Sequence, residues 1–220
     1  MQIFLDTANI EQIRQAAQLG IISGVTTNPT LLSKEATADY EAVTKEICSI
    51  IDGPVSVEVL SEDADAMIKE ARIKAAWAPN VNIKIPITAE GLKATSVLSK
   101  ENIDVNMTLC FSANQALLGA MAGATYVSIF IGRLDDAGHD GMQIVEDVVT
   151  ILDNYPELGS QVIAASIRHP LHCTYAAMAG ADIATVPYNV LMQMIRHPMT
   201  EAGIKRFLDD WKSVANKLKN

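Results

Sequence analysis

Val81-Asn82-Ile83-Lys84-Ile85-Pro86-Ile87 places aliphatic side chains at its odd positions and an amide, an ammonium and a proline ring at its even ones. That alternation is the period of a β-strand whose two faces meet different surroundings. Lys84 lies in the middle of the run, where an ammonium is costly on either face unless the chain needs it. On this run alone, a lysine stem snorkelling from a strand edge to solvent serves as well as a functional residue. The other reading is chemical: a water-poor surrounding disfavours the ammonium and leaves a neutral amine able to attack a carbonyl carbon and form a Schiff base.

Working outward, strand-like runs recur at Gln2–Asp6, Gly24–Thr27, Val55–Leu60, Val81–Ile87, Asp104–Leu109, Tyr126–Ile131, Gln161–Ile167 and Ile183–Pro187. Between them lie amphipathic stretches at Ile10–Leu19, Asp39–Ile51, Ala64–Trp77, Ala89–Lys100, Ala113–Ala122, Gly141–Asn154 and Leu171–Ala179, with helical segments again at the carboxyl end, about 200–218. Eight strands with helical crossovers predict a single-domain (β/α)8 TIM barrel over residues 1–220 with a carboxyl-terminal helical extension. No G-x-G-x-x-G follows the first strand, which weakens a dinucleotide-binding sheet.

Parity sharpens the expectation. Val55, Val57 and Val59 oppose Ser56, Glu58 and Leu60; Val105, Met107 and Leu109 oppose Asn106, Thr108 and Cys110; Val127, Ile129 and Ile131 oppose Tyr126, Ser128 and Phe130; Ile163, Ala165 and Ile167 oppose Ala164, Ser166 and Arg168. If each apolar set packs under the helices, each polar set points into the barrel. Asp6, Asn28, Glu58, Lys84, Thr108, Ser128 and Ser166 then gather toward the carboxyl ends of strands, the catalytic face of such barrels. Branched aliphatic residues normally fill a barrel interior, so packing alone does not explain so many polar residues, and the snorkelling reading of Lys84 loses ground.

Composition narrows the partners. A net charge of −9 with scattered lysines and arginines argues against a nucleic-acid surface. An anionic small molecule would need a local basic pocket. No segment approaches the roughly 18 uninterrupted apolar residues of a membrane span, and the amino terminus lacks the pattern of a leader, so a cytoplasmic location is expected. Three widely spaced cysteines, Cys48, Cys110 and Cys173, suggest reduced core or pocket residues rather than a disulfide framework. His169, His172 and Cys173 stand close in sequence, but no CxxC or HExxH accompanies them, and no metal is expected.

Val25-Thr26-Thr27-Asn28-Pro29-Thr30-Leu31-Leu32, the Lys84 strand and Gly132-Arg133-Leu134-Asp135-Asp136 together resemble the signatures of the transaldolase family, above all its short members, which include fructose-6-phosphate aldolases. The likeness begins at Phe4-Leu5-Asp6-Thr7 and runs past Ala165-Ser166-Ile167-Arg168. It implies that Lys84 forms an imine with a ketose phosphate and that Asp6 takes the C4 hydroxyl proton. It also implies that Glu58 and Thr108 activate a water, and that Asn28 and Ser128 hold the dihydroxyacetone fragment. Arg133, Ser166 and Arg168 would grip the phosphate, a task that suits the planar guanidinium fork. Taken separately, Arg133 could pair with Asp135 or Asp136 in a surface turn, Arg168 could cap a helix, and Asp6 and Asn28 could be turn formers.

Glu58 and Phe130 separate the branches. The aldolases the chain resembles typically carry Gln and Tyr at these positions, so the resemblance implies a transaldolase. Such an enzyme moves dihydroxyacetone from fructose 6-phosphate or sedoheptulose 7-phosphate to erythrose 4-phosphate or glyceraldehyde 3-phosphate, with no cofactor. An aldolase releasing free dihydroxyacetone, another Schiff-base aldolase and a non-catalytic sugar-phosphate-binding barrel remain the alternatives. Short family members also assemble as homo-oligomers, pentamers or decamers, and the stretch from Thr200 through Phe207, Leu208 and Trp211 to Leu218 could pack on a neighbour or close its own barrel.

Overall fold

The computed structural model describes residues 1–35 and 39–217, with side chains as far as Val214. Eight parallel strands pair in chain order and close into a barrel: β1 Gln2–Asp6, β2 Ile22–Thr26, β3 Val55–Glu58, β4 Val81–Pro86, β5 Val105–Cys110, β6 Tyr126–Phe130, β7 Gln161–Ala165 and β8 Ile183–Val186, which pairs back onto β1. Around them run α1 Ile10–Ala17, α2 Pro29–Leu32, α3 Tyr40–Ile50, α4 Ala64–Ala75, α5 Ala89–Leu98, α6 Ala113–Met121, α7 Ile131–Asp136, α8 Gly141–Asp153, α9 Pro170–Met178, α10 Tyr188–Ile195 and α11 Pro198–Lys217. The fold is the expected single-domain TIM barrel with a carboxyl-terminal helical extension. Leu218 lies outside the described residues. None of the described helices is long and apolar enough to cross a membrane.

Helix starts follow local chemistry. Asp39, Asp63, Thr88 and Ser112 each accept a backbone N–H of the first turn of α3, α4, α5 and α6, satisfying donors that the helix leaves open. The sequence reading passed over α2 and α7 because each is a short helix set directly at a strand's end. Ile131, expected to end the sixth strand, opens α7 instead.

Barrel stability comes from the outward faces of the strands. Ile83 and Ile85 are fully buried with Met67, Ala71 and Leu98 beneath α4 and α5, and Val127, Ile129 and Ile131 pack with Ala116 and Val145 on the next sector. Burying each such isoleucine, leucine, valine or methionine contributes about 1.5–3 kcal/mol. The interior is therefore free to be polar, and it is divided. Ser56, Asn82, Asn106 and Ser128 occupy one side, while Phe4, Tyr126, Phe130, Ile163, Ala165 and Ile183 fill the other. Phe4 fits because Gly24 faces it: a Cβ there would stand 2.7 Å from both the Phe4 ring and the Pro54 carbonyl oxygen.

Two parity expectations are corrected. In β7, Ile163 and Ala165 face inward, because they pair with the inward Ser128 and Phe130 of β6, while Ala164 lies in the outer core. Ser166 still reaches the cleft, but through a left-handed backbone turn (φ 60°) that breaks the alternation and sends Ile167 back under the helices. In β5, Leu109 adopts the same turn (φ 59°), so Leu109 packs against the interior cluster and Cys110 joins the outer core. A left-handed non-glycine residue costs on the order of 1–3 kcal/mol, and both lie at the carboxyl-terminal rim where function concentrates.

Candidate active site

The rim encloses one cleft lined by Asp6, Thr26, Asn28, Lys84, Ser128, Phe130, Arg133, Ser166, Arg168 and Thr185, among others. An adjoining lobe shares Asn28, Lys84, Phe130 and Arg133 and adds Glu58 and Leu109. Nine of the ten residues singled out from sequence therefore line one continuous space. Thr108 pairs with Pro86 but forms neither wall; its Oγ1 is buried without a hydrogen-bond partner among the described residues.

Lys84 is buried, and its Nζ lies 3.1 Å from Glu58 Oε2 and 3.4 Å from the Thr27 carbonyl oxygen. The lysine side chain is 7% exposed and the glutamate 17%, so the pair faces the cleft rather than bulk water. The register produces this directly, since Glu58 on β3 pairs with Lys84 on β4. Asp6, in contact with the same cleft, accepts a 2.8 Å hydrogen bond from Thr26 Oγ1, which is in turn 2.5 Å from Thr185 Oγ1. Because Thr26 donates to Asp6, Thr185 donates to Thr26. Burial pushes the Asp6 carboxyl above its usual range, and Lys84 and the Thr26 bond only partly offset it.

Below the cleft runs a directional chain. Ser128 Oγ donates to Asn106 Oδ1 (2.7 Å), Asn106 Nδ2 to Ser56 Oγ (3.0 Å) and Ser56 Oγ to Asn82 Oδ1 (2.8 Å). Ser128 has thereby spent its proton and presents only lone pairs to the cleft. Asn28 is complementary: its Oδ1 accepts the Leu31 N–H (2.9 Å) to cap α2, leaving its amide protons to point at a ligand. One residue can thus accept from a hydroxyl while the other donates.

At the mouth, Arg133 stacks its guanidinium 5.0 Å from the centre of the Phe130 ring. It does not pair with its neighbouring aspartates. Asp136 instead takes Arg168 (3.0 Å), while Asp135 accepts the Gly141 N–H (2.9 Å) and lies 3.0 Å from His172 Nε2. The Arg168 pair is about half exposed on both sides, worth less than about 1 kcal/mol, so an anionic ligand can replace Asp136 readily. Close approach of α7 to Ser166 and the Arg168 side chain depends on Gly132, where a Cβ would fall 2.1 Å from the Ser166 carbonyl oxygen and 2.8 Å from Arg168 Cγ. His172 Nδ1 accepts the Arg168 N–H (3.2 Å), which requires the neutral ring. Burial, with His169 beside it, holds the His172 pKa below its ordinary value.

Sequence reasoning passed over Thr26, Thr185, Asn106, Tyr40 and Lys74. Inward parity pointed to Asn106, and the Thr26-Thr27-Asn28-Pro29 motif contained Thr26. Tyr40 and Lys74 sit on helices behind the sheet and carried no signal.

A closed parallel barrel that gathers a buried lysine, two carboxylates and two arginines at the carboxyl ends of its strands is the architecture of a barrel enzyme. Residues 3–218 match the model of the transaldolase/fructose-6-phosphate aldolase family, and the chain belongs to that family. It is 63% identical over 217 residues to a probable transaldolase of Dehalococcoides mccartyi, covering 97% of this chain and 99% of that one. A probable transaldolase of a Thermoanaerobacter species is 59% identical over 218 residues, covering 99% and 100% of the two chains. Among solved structures, a thiamine phosphate pyrophosphorylase from Pyrococcus furiosus shares the fold alone, with a TM-score of 0.59 at 15% identity over 84% of this chain and 85% of that one. The chain is thus an enzyme of the transaldolase/aldolase type.

Proposed function

We propose that this enzyme is a class I transaldolase that moves a dihydroxyacetone unit from fructose 6-phosphate or sedoheptulose 7-phosphate to erythrose 4-phosphate or glyceraldehyde 3-phosphate, in the non-oxidative pentose phosphate pathway of the cytoplasm. The observation that carries the reading is the buried Lys84–Glu58 pair opening on the cleft that also holds Asp6.

Glu58 takes a proton from the Lys84 ammonium 3.1 Å away, and the freed amine attacks C2 of the donor ketose to give a carbinolamine. Glu58, with a water held against the Thr108 hydroxyl, passes the protons that expel hydroxide as water and leave a protonated imine. Asp6 then accepts the C4 hydroxyl proton, the C3–C4 electron pair moves into the imine and the aldose phosphate departs. The three-carbon enamine stays bound, with Asn28 donating to it and Ser128 accepting from its hydroxyl. Attack on the acceptor aldehyde reverses these steps, and hydrolysis frees Lys84. Arg133, Arg168 and Ser166 bind the phosphate; no step calls for a metal or an organic cofactor.

Phe130 supports transfer over cleavage, since it supplies an apolar wall and a platform for Arg133 but no hydroxyl to protonate the enamine. The test is release of glyceraldehyde 3-phosphate from fructose 6-phosphate with and without erythrose 4-phosphate. The wild type is expected to require the acceptor. Phe130→Tyr should raise acceptor-independent release by up to about 100-fold, the low end for one added proton donor. Equal wild-type rates with and without acceptor would instead make this an aldolase releasing free dihydroxyacetone.

The assembly belongs to the same proposal. Helix α11 exposes Met199, Ile204, Phe207, Leu208, Trp211 and Val214, an apolar set that a neighbouring copy would cover in a pentamer or decamer. Sedimentation should show five or ten copies for the wild type and smaller species for Phe207→Asp/Trp211→Asp. A monomeric wild type would refute the assembly.

A further inference from the structure

Lys74 is a second buried lysine, and the reaction above does not use it. It projects from α4 behind the sheet with its side chain 7% exposed, and its Nζ donates a 2.7 Å hydrogen bond to the carbonyl oxygen of Glu58. Its charge is balanced by Glu70 one turn earlier (2.7 Å), and its ammonium lies 4.8 Å from the centre of the Tyr40 ring. Glu70 also accepts the N–H groups of Leu60 and Ser61, so it ties down the irregular chain that leaves β3.

The other backbone group of Glu58 is held from a different helix. Tyr40 Oη, on α3, accepts the Glu58 N–H at 2.9 Å and lies 3.1 Å from Thr27 Oγ1. Thr27 donates its hydroxyl proton to the Ser56 carbonyl (2.8 Å), so Tyr40 is the donor to Thr27. Thr27 is also the residue whose carbonyl lies 3.4 Å from Lys84 Nζ. Burial pushes the Tyr40 phenol above its ordinary pKa, which keeps the proton this chain needs.

Glu58 is the last residue of β3, and a single further ladder bond, from the Val59 N–H to the Lys84 carbonyl oxygen (3.0 Å), follows it before the chain turns irregular. A buried ammonium is an expensive way to hold one carbonyl, because it must be desolvated and paired. It is placed where it fixes the carboxylate that pairs directly with Lys84. We infer that Lys74 and Tyr40 are positioning residues that clamp the peptide of Glu58 from both sides and so hold its carboxylate against Lys84 for proton transfer during imine formation and hydrolysis. The inference rests on the role proposed above for Glu58.

The experiment compares Lys74→Met, Lys74→Arg and Tyr40→Phe with the wild type, using fructose 6-phosphate as donor and borohydride trapping to time imine formation. Both Lys74→Met and Tyr40→Phe should lower kcat and the trapping rate together by on the order of 10- to 100-fold, the effect of small misplacement of a reacting group. The KM should stay within about twofold, because neither residue touches the ligand, and the pH profile of kcat should shift as Glu58 leaves its place. Lys74→Arg, which keeps a donor and the Glu70 pair, should recover most of the rate. Tyr40→Phe removes one oxygen and no packing, and keeps the test open should Lys74→Met fail to fold. Folded variants with wild-type trapping rate and pH profile would overturn the positioning role. A wild type that traps no imine at all would instead overturn the proposed function, so the two failures are distinguishable.

Discussion

Lys84→Met is expected to abolish both transfer and borohydride-dependent labelling by fructose 6-phosphate while leaving the barrel folded. Methionine has nearly the length of the lysine stem and continues the packing of a side chain that is already buried. It carries no amine, so no imine forms and the C3–C4 bond has no electron sink. The variant leaves the Glu58 carboxylate without its cation. Stripping one partner from a fully buried pair costs about 3–5 kcal/mol, but Glu58 opens onto the cleft and can be hydrated there, so the loss should be smaller. Adding Glu58→Gln to Lys84→Met should then restore part of the loss. Mass spectrometry after reduction is the decisive readout, and a retained adduct at another residue would remove Lys84 from the reaction.

Asp6→Asn should lower kcat by about 10²–10⁴, the usual contribution of a positioned proton acceptor, yet still form the imine. Reduction should therefore trap the intact six-carbon phosphate adduct rather than a three-carbon one. A three-carbon adduct at the wild-type rate would assign the proton to another base. The same substitution should stabilise the fold. The folded-state pKa of Asp6 is raised by burial, so its favourable contribution is complete below the unfolded value and disappears as pH rises through the folded one. Above the unfolded value the buried carboxyl is thus a liability, whereas asparagine keeps an oxygen to accept the Thr26 hydroxyl. Relief of about 1 kcal/mol would raise Tm by roughly 2–4 °C in a chain of this size. The gain should shrink as the pH falls and Asp6 becomes protonated in both states.

The barrel was legible because the outward faces of β3, β4 and β6, and of β5 as far as Thr108, alternate cleanly, and Lys84 stood out against its isoleucines. The same rule misled in β7. Ile163 and Ala165 are apolar and still face inward, because half of this interior is itself apolar and hydrophobicity no longer distinguishes the two sides. Ser166 reached the cleft as expected, but through a left-handed turn that no alternation pattern encodes. Arg133 and Arg168 were placed by resemblance, whereas their supports, Gly132, Phe130 and His172, became intelligible only once distances were known. Tyr40 and Lys74 read as ordinary members of amphipathic helices, because a contact with a strand terminus leaves no periodic trace.

The amide and hydroxyl chain under the cleft has a sense of direction. Every proton from Ser128 through Asn106 and Ser56 is handed toward Asn82, whose own Nδ2 is buried with no acceptor among the described residues. Aligned dipoles of this kind polarise one another, so the lone pair at Ser128 is strengthened by groups that never meet the ligand. Replacing one member strands its neighbours, and the chain reverses only if both amides and both hydroxyls turn over together. These positions therefore act as a unit: a change at the rim leaves them untouched, whereas a change at any one of them alters the hydrogen bond offered from the floor.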